Sequence, residues 1–363
     1  MTIDEILELD KGPKLPRSLE RGIGIVGAGA IVNAGHLPAY RKAGFNVVAI
    51  ADTNLEAAQT TAREWDVPAA YGSVDELLAD PKVEVVDIAV TPNAQFEIAS
   101  KAFEAGRHAL CQKPLAETLE PAIELVQRAD RAGVRMAVNQ QMRWEGVVRT
   151  AKLLIDAGWY GELTGGLFDV NIMTDWRMWP WMAERDRLEY LYHSVHYFDS
   201  IRHLYGEPES VVATTARAPG QYAQGESRTF TVVEYSDTLK VAVVVDHNNW
   251  GPEPRAVVHT DGSDGKSEGT LGVLYDYPVG RPDTFRFYSR VQEPEHAFER
   301  RFTERWIPDA FVGPIGELLS AIEEDREPLT SGRDNLRTLR VLMCAYRSAD
   351  EGRRVRIDEI ELP

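Results

Sequence analysis

Lys113 sits directly before a proline and just after an apolar run, in Leu110-Cys111-Gln112-Lys113-Pro114-Leu115. A group that takes a proton from a substrate must be neutral at the working pH. A free lysine, with a pKa of about 10.4, is a poor base near pH 7. Desolvation and a nearby positive charge both disfavour its ammonium form. Gln112, an uncharged neighbour where a carboxylate would hold the proton on, works in the same direction. Pro114 biases Lys113 toward extended backbone. On its own, such a lysine also reads as a solvated loop residue.

A second group of titratable side chains lies in Tyr190-Leu191-Tyr192-His193-Ser194-Val195-His196-Tyr197-Phe198-Asp199. At about 100° per residue, Tyr192, His193, His196, Asp199 and His203 share one helix face, and Leu191, Val195, Phe198, Ile201 and Tyr205 share the other. Tyr192 and His196 are i, i+4 neighbours. His196 is the candidate base or proton partner of Lys113, with Tyr192 and His193 toward the same substrate. Asp199 either orients His196 or pairs with Arg202 or Arg143. Metal binding by His193, His196 and His203 is not expected, because no carboxylate pattern accompanies them.

Gly27-Ala28-Gly29-Ala30-Ile31-Val32 supplies two of the three glycines of a dinucleotide-binding turn. The first permits the tight turn, and the second lets backbone N–H groups approach a pyrophosphate where Ala30 and Ile31 open a helix. Asp52, followed by Thr53, closes the next strand. At that spacing a carboxylate accepts from a ribose 2′-OH and repels a 2′-phosphate, which favours NAD over NADP. Asp52 as the cap of a helix beginning at Leu55 is compatible with this. In Thr174-Asp175-Trp176-Arg177-Met178-Trp179-Pro180-Trp181, indoles suited to sugar rings flank an arginine suited to a carboxylate, sulfonate or phosphate. A packed loop or subunit contact is the alternative there. His247-Asn248-Asn249-Trp250 either lines a cleft or caps a strand.

These residues need a frame to position them. From Gly22, apolar runs such as Val83–Val90 and His108–Cys111 alternate with helical segments, which predicts a parallel doubly wound sheet. After about residue 145 the texture changes to short strands joined by turns such as TDGSDG and PVGRPD, a mostly antiparallel sheet. It is interrupted by one helix, Leu188–Tyr205, and followed by helices at Phe311–Asp325 and Arg333–Glu351. Strands are expected at Leu163–Met173, Ser210–Arg217, Arg228–Tyr235, Leu239–Asn248, Ala256–Thr260, Thr270–Leu274 and Thr284–Phe287. The expected division is an N-terminal arm over 1–21, a dinucleotide domain over 22–145 and a second α/β domain over 146–363, whose last helices are free to pack back on the first. The arm has a short amphipathic turn around Ile3–Leu9.

A chain of 363 residues suits two domains. Its net charge of −17 argues against nucleic acid or an anionic membrane as partner. Local arginines still allow an anionic small substrate. Two well-separated cysteines fit a reducing cytoplasm. The acidic N-terminus lacks the features of a secretory signal, and no stretch reaches the ~18 apolar residues of a membrane span.

GAGAIVNAGHLPAY, AIADTN, AVTPN, EAGRHALCQKPLA, VHYFDSIRHLYGEPESV and the closing GPIGELLSAIEEDREPLTSGRDNLRTLRVLMCAYRSADEGRRV occur in this order. Together they resemble the Gfo/Idh/MocA oxidoreductase family over nearly the whole chain. The resemblance implies a Rossmann domain followed by an α/β domain with a large open sheet, through which homodimers or homotetramers form. It implies hydride transfer between NAD and a sugar, polyol or related hydroxyl carbon. Thr91, Pro92 and Asn93 then end a strand beside the nicotinamide half, with Gln112 next to it. Lys113 matches the lysine of the family's Glu-Lys-Pro, and His196 its second-domain histidine. Arg143 and Trp144 lie in a segment that borders the cleft. Gln112 in place of Glu, Phe96 in place of His and Tyr192 in place of Asp depart from the pattern, and ERDRLEYLYH replaces a glycine-rich stretch. These departures keep two alternatives beside the dehydrogenase. One is a redox-neutral NAD-dependent glycosidase, including one acting on a sulfo- or carboxy-sugar. The other is a non-catalytic NAD-binding regulator.

Overall fold

The computed structural model describes residues 3–8, 10, 12–277, 280–292 and 294–363. Leu9 of the expected N-terminal turn, and Pro278 and Val279 of the PVGRPD turn, lie outside the described residues. Two compact units divide the chain.

One unit comprises Gly12–Gln141 and Ile307–Arg337, with Pro363. Its sheet holds β1 (Ile23–Val26), β2 (Val47–Ala51), β3 (Ala69–Tyr71), β4 (Val85–Ile88), β5 (His108–Cys111) and β6 (Met136–Val138), all parallel in the order 3-2-1-4-5-6. A sheet covered on both faces needs apolar residues throughout, and β1, β4 and β6 are buried at every position. The strand order reverses between β1 and β4, where doubly wound sheets open a crevice at their carboxyl edge. The helix after β1 begins with a π turn, Val32–His36, before Leu37–Ala43. Gly35 passes against Phe311, whose ring a Cβ would meet at 3.0 Å. Residues 307–337, assigned by sequence to the second domain, count here for a packing reason. Ile315, Leu318 and Leu319 of the helix Val312–Glu323 share one buried cluster with Ile23, Ile25, Ile50 and Leu110.

The other unit comprises Met1–Lys11, Met142–Trp306 and Thr338–Leu362. Its strands are β7 (Leu163–Asn171), β8 (Ser210–Ala216), β9 (Arg228–Glu234), β10 (Lys240–Asp246), β11 (Arg255–Gly262), β12 (Gly265–Thr270), β13 (Thr284–Ser289), β14 (Ala297–Arg301) and β15 (Val355–Arg356). They form one sheet in the order 14-13-12-11-7-10-9-8-15, antiparallel except for the β7–β10 pair. Burial alternates along β10 and β13, as it does in a sheet with one covered face. The covering helices include Gly146–Asp156 and Val195–Tyr205. Val147 packs so closely on β12 that a Cβ on Gly269 would meet it at 2.2 Å. The expected N-terminal arm is split between the units. The helix Ile3–Glu8 buries Ile3, and Asp10 pairs with Arg149 at 2.7 Å and Arg300 at 3.4 Å. Among the described residues, no helix is long and apolar enough to cross a membrane.

Two expectations need correcting. The strand expected at Thr270–Leu274 is β12 upstream, and Gly272–Leu274 is a 3-10 turn. The Gly272 N–H donates to Asp283 Oδ1 at 2.5 Å, which pulls the chain out of the ladder. The continuous α-helix expected over Leu188–Tyr205 is a π turn, Tyr190–Ser194, leading into Val195–Tyr205. The Glu226 carboxylate accepts the N–H groups of Leu188, Glu189 and Tyr190 and so fixes the entry. A π turn bonds i to i+5, so the α-helical wheel is out of phase around Tyr192 and His193.

A buried carboxyl pair anchors the start of this unit. Glu145 caps the helix Gly146–Asp156, accepting from Val147 and Val148 N–H at 2.9 and 3.0 Å. Desolvation, then the charge of Asp283, raises the Glu145 pKa, and desolvation pushes Asp283 up to about 6. Folded-state values above the unfolded ones mean that this contribution to stability is full at low pH. It is lost as pH climbs through about 6. Asp283→Asn removes the Asp283 titration and leaves that of Glu145. Between about pH 4.5 and 7.5 the variant should gain on the order of 1–2 kcal/mol relative to wild type in urea melts. A difference that does not change with pH would contradict the raised carboxyls.

Candidate active site

In the Rossmann-like unit, the candidate residues follow the carboxyl ends of successive strands. Gly27 has φ +109°, and a Cβ there would lie 2.5 Å from the Ala89 carbonyl oxygen, so only glycine fits. A Cβ on Gly29 would meet nothing within 4 Å. That leaves clear space over the helix start at Ala30 and Ile31, as a pyrophosphate requires. Asp52 Oδ2 accepts the Ala28 N–H and Oδ1 the Asn54 N–H, both at 2.8 Å. The carboxylate therefore ties the end of β2 to the glycine turn. It does not cap the next helix: Asn54 does, accepting from Ala57 N–H. Thr53 is exposed beside it. Thr91 precedes the helix Pro92–Glu104, with Pro92 buried in its first turn and Asn93 exposed. These groups fit a dinucleotide: an open helix start, a carboxylate at the second strand end and a polar turn beyond β4.

Lys113 follows β5, half-buried, with a cis bond to Pro114. Burial pulls its pKa down to about 8. With Gln112 uncharged, no carboxylate on the adjacent residue opposes that. Gln112 Oε1 accepts the Lys113 N–H at 2.9 Å, while Nε2 lies 3.3 Å from His36 Nε2. His36 Nδ1 is 2.6 Å from Asp87 Oδ2, which also accepts from Tyr40 Oη at 2.7 Å. The glutamine thus links the lysine's backbone to a buried histidine–aspartate pair.

Gln95 was missed by the sequence reading. It is fully buried. Its Nε2 donates to the carbonyls of Gln112, Pro114 and Leu115, and its Oε1 accepts the Gln112 N–H at 2.6 Å. This one amide straps the loop that carries Lys113. Gln95→Leu keeps the size and removes every bond, so the loop loses its register. A misplaced base typically loses rate rather than binding. We expect kcat to fall by about 10–100-fold with NAD affinity nearly unchanged, measured by steady-state kinetics and fluorescence titration. The available signal was weak: a glutamine and an aspartate (Asp87) inside otherwise apolar elements.

The second unit holds the other candidates. Tyr192 is buried with its ring edge-on to Trp181 at 5.5 Å, and His196 is buried edge-on to Trp306 at 5.3 Å. Arg143 Nε and Nη2 grip both oxygens of Asp199 at 2.7 Å, and Thr338 Oγ1 donates to Asp199 at 2.9 Å. Asp199 is therefore Arg143's partner, and these two guanidinium nitrogens are committed to it rather than to a substrate. Trp144 is half-buried in the adjoining 3-10 turn, Gln141–Trp144. Arg177 is exposed and held by Asp175 two residues away, at 2.7 and 3.0 Å. The arginine expected to grip an anionic substrate group thus already has a carboxylate partner. Trp176 is buried with its ring 5.0 Å from that of His247. His193, expected to face substrate, lies 3.5 Å from Glu189, and His247 lies 3.7 Å from the same carboxylate. Burial alone would raise the Glu189 pKa, but the two histidines outweigh it and hold it near about 2. Glu189 was hidden in a charged stretch, and His247 reads equally well as a strand cap.

Family models described as "Oxidoreductase family, NAD-binding Rossmann fold" and "GFO/IDH/MocA C-terminal domain" match residues 21–140 and 148–266. The chain belongs to the Gfo/Idh/MocA oxidoreductase family. It is an NAD-dependent oxidoreductase, an enzyme of the dehydrogenase type. A D-apiose dehydrogenase of Paraburkholderia graminis is 27% identical over 342 residues, 92% of this chain and 90% of the relative. An oxidoreductase from Agrobacterium radiobacter, solved in complex with NAD+, L-tartaric acid and magnesium, superposes with a TM-score of 0.81 at 22% identity. It covers 94% of this chain and 99% of its own. The WlbA dehydrogenase from Bordetella pertussis, solved with NADH and UDP-GlcNAcA, gives a TM-score of 0.73 at 24% identity, covering 94% and 99%.

Proposed function

We propose that the protein oxidises a secondary hydroxyl of a sugar, polyol or sugar-acid substrate, with Lys113 as the base. The observation that carries this is the strapped, half-buried lysine at the sheet's carboxyl edge, whose pKa is drawn down to about 8. NAD, when bound, supplies the hydride acceptor. Gly27, Gly29 and the helix start at Ala30 hold its pyrophosphate, and Asp52 its adenosine ribose. Thr91, Pro92, Asn93 and Gln112 shape the nicotinamide end. Lys113 takes the hydroxyl proton on Nζ. Tyr192 and His196 are this reading's candidate substrate groups on the second unit. Arg143 acts indirectly, by fixing Asp199 one turn beyond His196.

The likeness to D-apiose dehydrogenase along most of both chains makes branched and unbranched aldoses the first substrates to try. The test incubates the protein with NAD and a panel of aldoses, polyols, aldonates and aryl glycosides. Stoichiometric NADH with an oxidised sugar is the expected result. Aglycone release without net NADH would overturn the reading in favour of a redox-neutral glycosidase.

A further inference from the structure

We propose that Glu189, His193 and His247 form a divalent-metal site of the zinc type inside the second unit. Their ligand atoms all lie within 4.8 Å of one another. Glu189 Oε1 stands 3.5 Å from His193 Nδ1 and 3.7 Å from His247 Nε2. These separations exceed the roughly 2.7–3.2 Å of a good hydrogen bond. They suit ligands around one ion instead. With metal–nitrogen and metal–oxygen distances of about 2.0–2.1 Å, tetrahedral ligands stand about 3.3 Å apart. Small rotamer adjustments close the remaining few tenths of an ångström.

Independent features point to the same occupant. His247 is fully buried, and its Nε2 has no hydrogen-bond partner among the described residues. Its Nδ1 is fixed by Thr174 Oγ1 at 2.7 Å, the outer bond that orients a metal-bound imidazole. The Glu189 carboxylate is likewise braced, by Ser194 Oγ on Oε1 at 2.6 Å and Thr229 Oγ1 on Oε2 at 3.0 Å. Both Glu189 and His247 are inaccessible to solvent, whereas the His193 side chain keeps 21% exposure, which supplies an entry path. His193 lies in the π turn Tyr190–Ser194, and such turns often mark functional positions. Two imidazoles and one carboxylate match Zn²⁺ with an open fourth position, and not Mg²⁺, which prefers all-oxygen shells. The open position would take an oxygen ligand, water or a substrate hydroxyl or carboxylate. The Trp176 ring lies beside His247, and its buried indole N–H has no hydrogen-bond partner among the described residues. The proposal goes beyond the dehydrogenase reading and stands or falls separately from it.

The experiment loads the full-length protein with Zn²⁺, dialyses it and counts metal per chain by mass spectrometry. Co²⁺ substitution then reads the coordination by visible absorption. About one Zn²⁺ per chain is expected, together with a low-symmetry Co²⁺ spectrum. His193→Ala, at the partly exposed ligand, should weaken Zn²⁺ binding by about 100-fold or more. Its fold is checked by NAD binding and circular dichroism. Glu189→Gln should behave the same way. His259→Ala removes a surface histidine–carboxylate pair and should leave the stoichiometry unchanged. Substoichiometric metal in the wild type, or equal binding by wild type and His193→Ala, would overturn the proposal. So would metal lost only in His259→Ala.

Discussion

Lys113→Met should lower kcat for alcohol oxidation by about 10³-fold, within the range for removing a general base, while NAD still binds. The substitution keeps the length and apolar stem of the side chain and removes the amine. The loop is held by Gln95 through backbone groups, so its path should survive. The wild-type pH profile carries the second half of this prediction. Only the neutral amine accepts a proton, and burial draws its pKa to about 8. The rate of oxidation should therefore rise with pH and level off above about 8. Lys113→Met should lack that limb. Gln112→Glu restores a carboxylate next to the lysine, which favours the ammonium form and should move the limb to higher pH by about one unit. A limb that survives in Lys113→Met would assign the base elsewhere, with His196 the next candidate.

Substitution of Asp52 should have the largest effect on cofactor choice. A carboxylate placed for the ribose 2′-OH repels a 2′-phosphate, so the wild type should prefer NAD over NADP. The structure adds a complication that spacing alone does not show. Both oxygens of Asp52 already accept backbone N–H groups, from Ala28 and Asn54. Asp52→Ala therefore removes a charge and also loosens the glycine turn. Each charge-assisted bond is worth about 1.5–3 kcal/mol, so the NAD KM should rise by about 10–100-fold. Asp52→Asn keeps an accepting oxygen and removes the charge. It should lose much of the discrimination against NADP while raising the NAD KM far less. Paired kcat/KM values for NAD and NADP on the three proteins separate the two roles. Equal discrimination by wild type and Asp52→Asn would contradict an electrostatic basis for NAD preference.

What could be read in the sequence tracks the range of the interactions concerned. The Rossmann strands were legible because strands buried on both faces must be apolar throughout, and because Gly27 occupies a backbone conformation open only to glycine. The Lys113 loop was legible as a member of an ordered set. The strap that positions it was not, since Gln95 reaches its partners across 17 to 20 residues of sequence. The π turn at Tyr190–Ser194 escaped because hydrophobic periodicity registers a helix but not one extra residue in a turn. Strands β14 and β15 escaped for a simpler reason: AFERR is charged and VR too short to show a pattern. Arg143 and Asp199 were both singled out, and their pairing was one of several left open. Only the fold could choose it.

The central claim is direct hydride transfer from a substrate carbinol to NAD, with Lys113 taking the proton. The most direct measurement uses an active sugar deuterated at the reacting carbon. Product and cofactor are analysed by mass spectrometry and NMR after one turnover. The account predicts one deuterium on the nicotinamide for each oxidised sugar formed, none washed into water, and transfer slowed by about 10³-fold in Lys113→Met at the same pH. Deuterium released to solvent, or sugar product formed with the cofactor left oxidised, would contradict it.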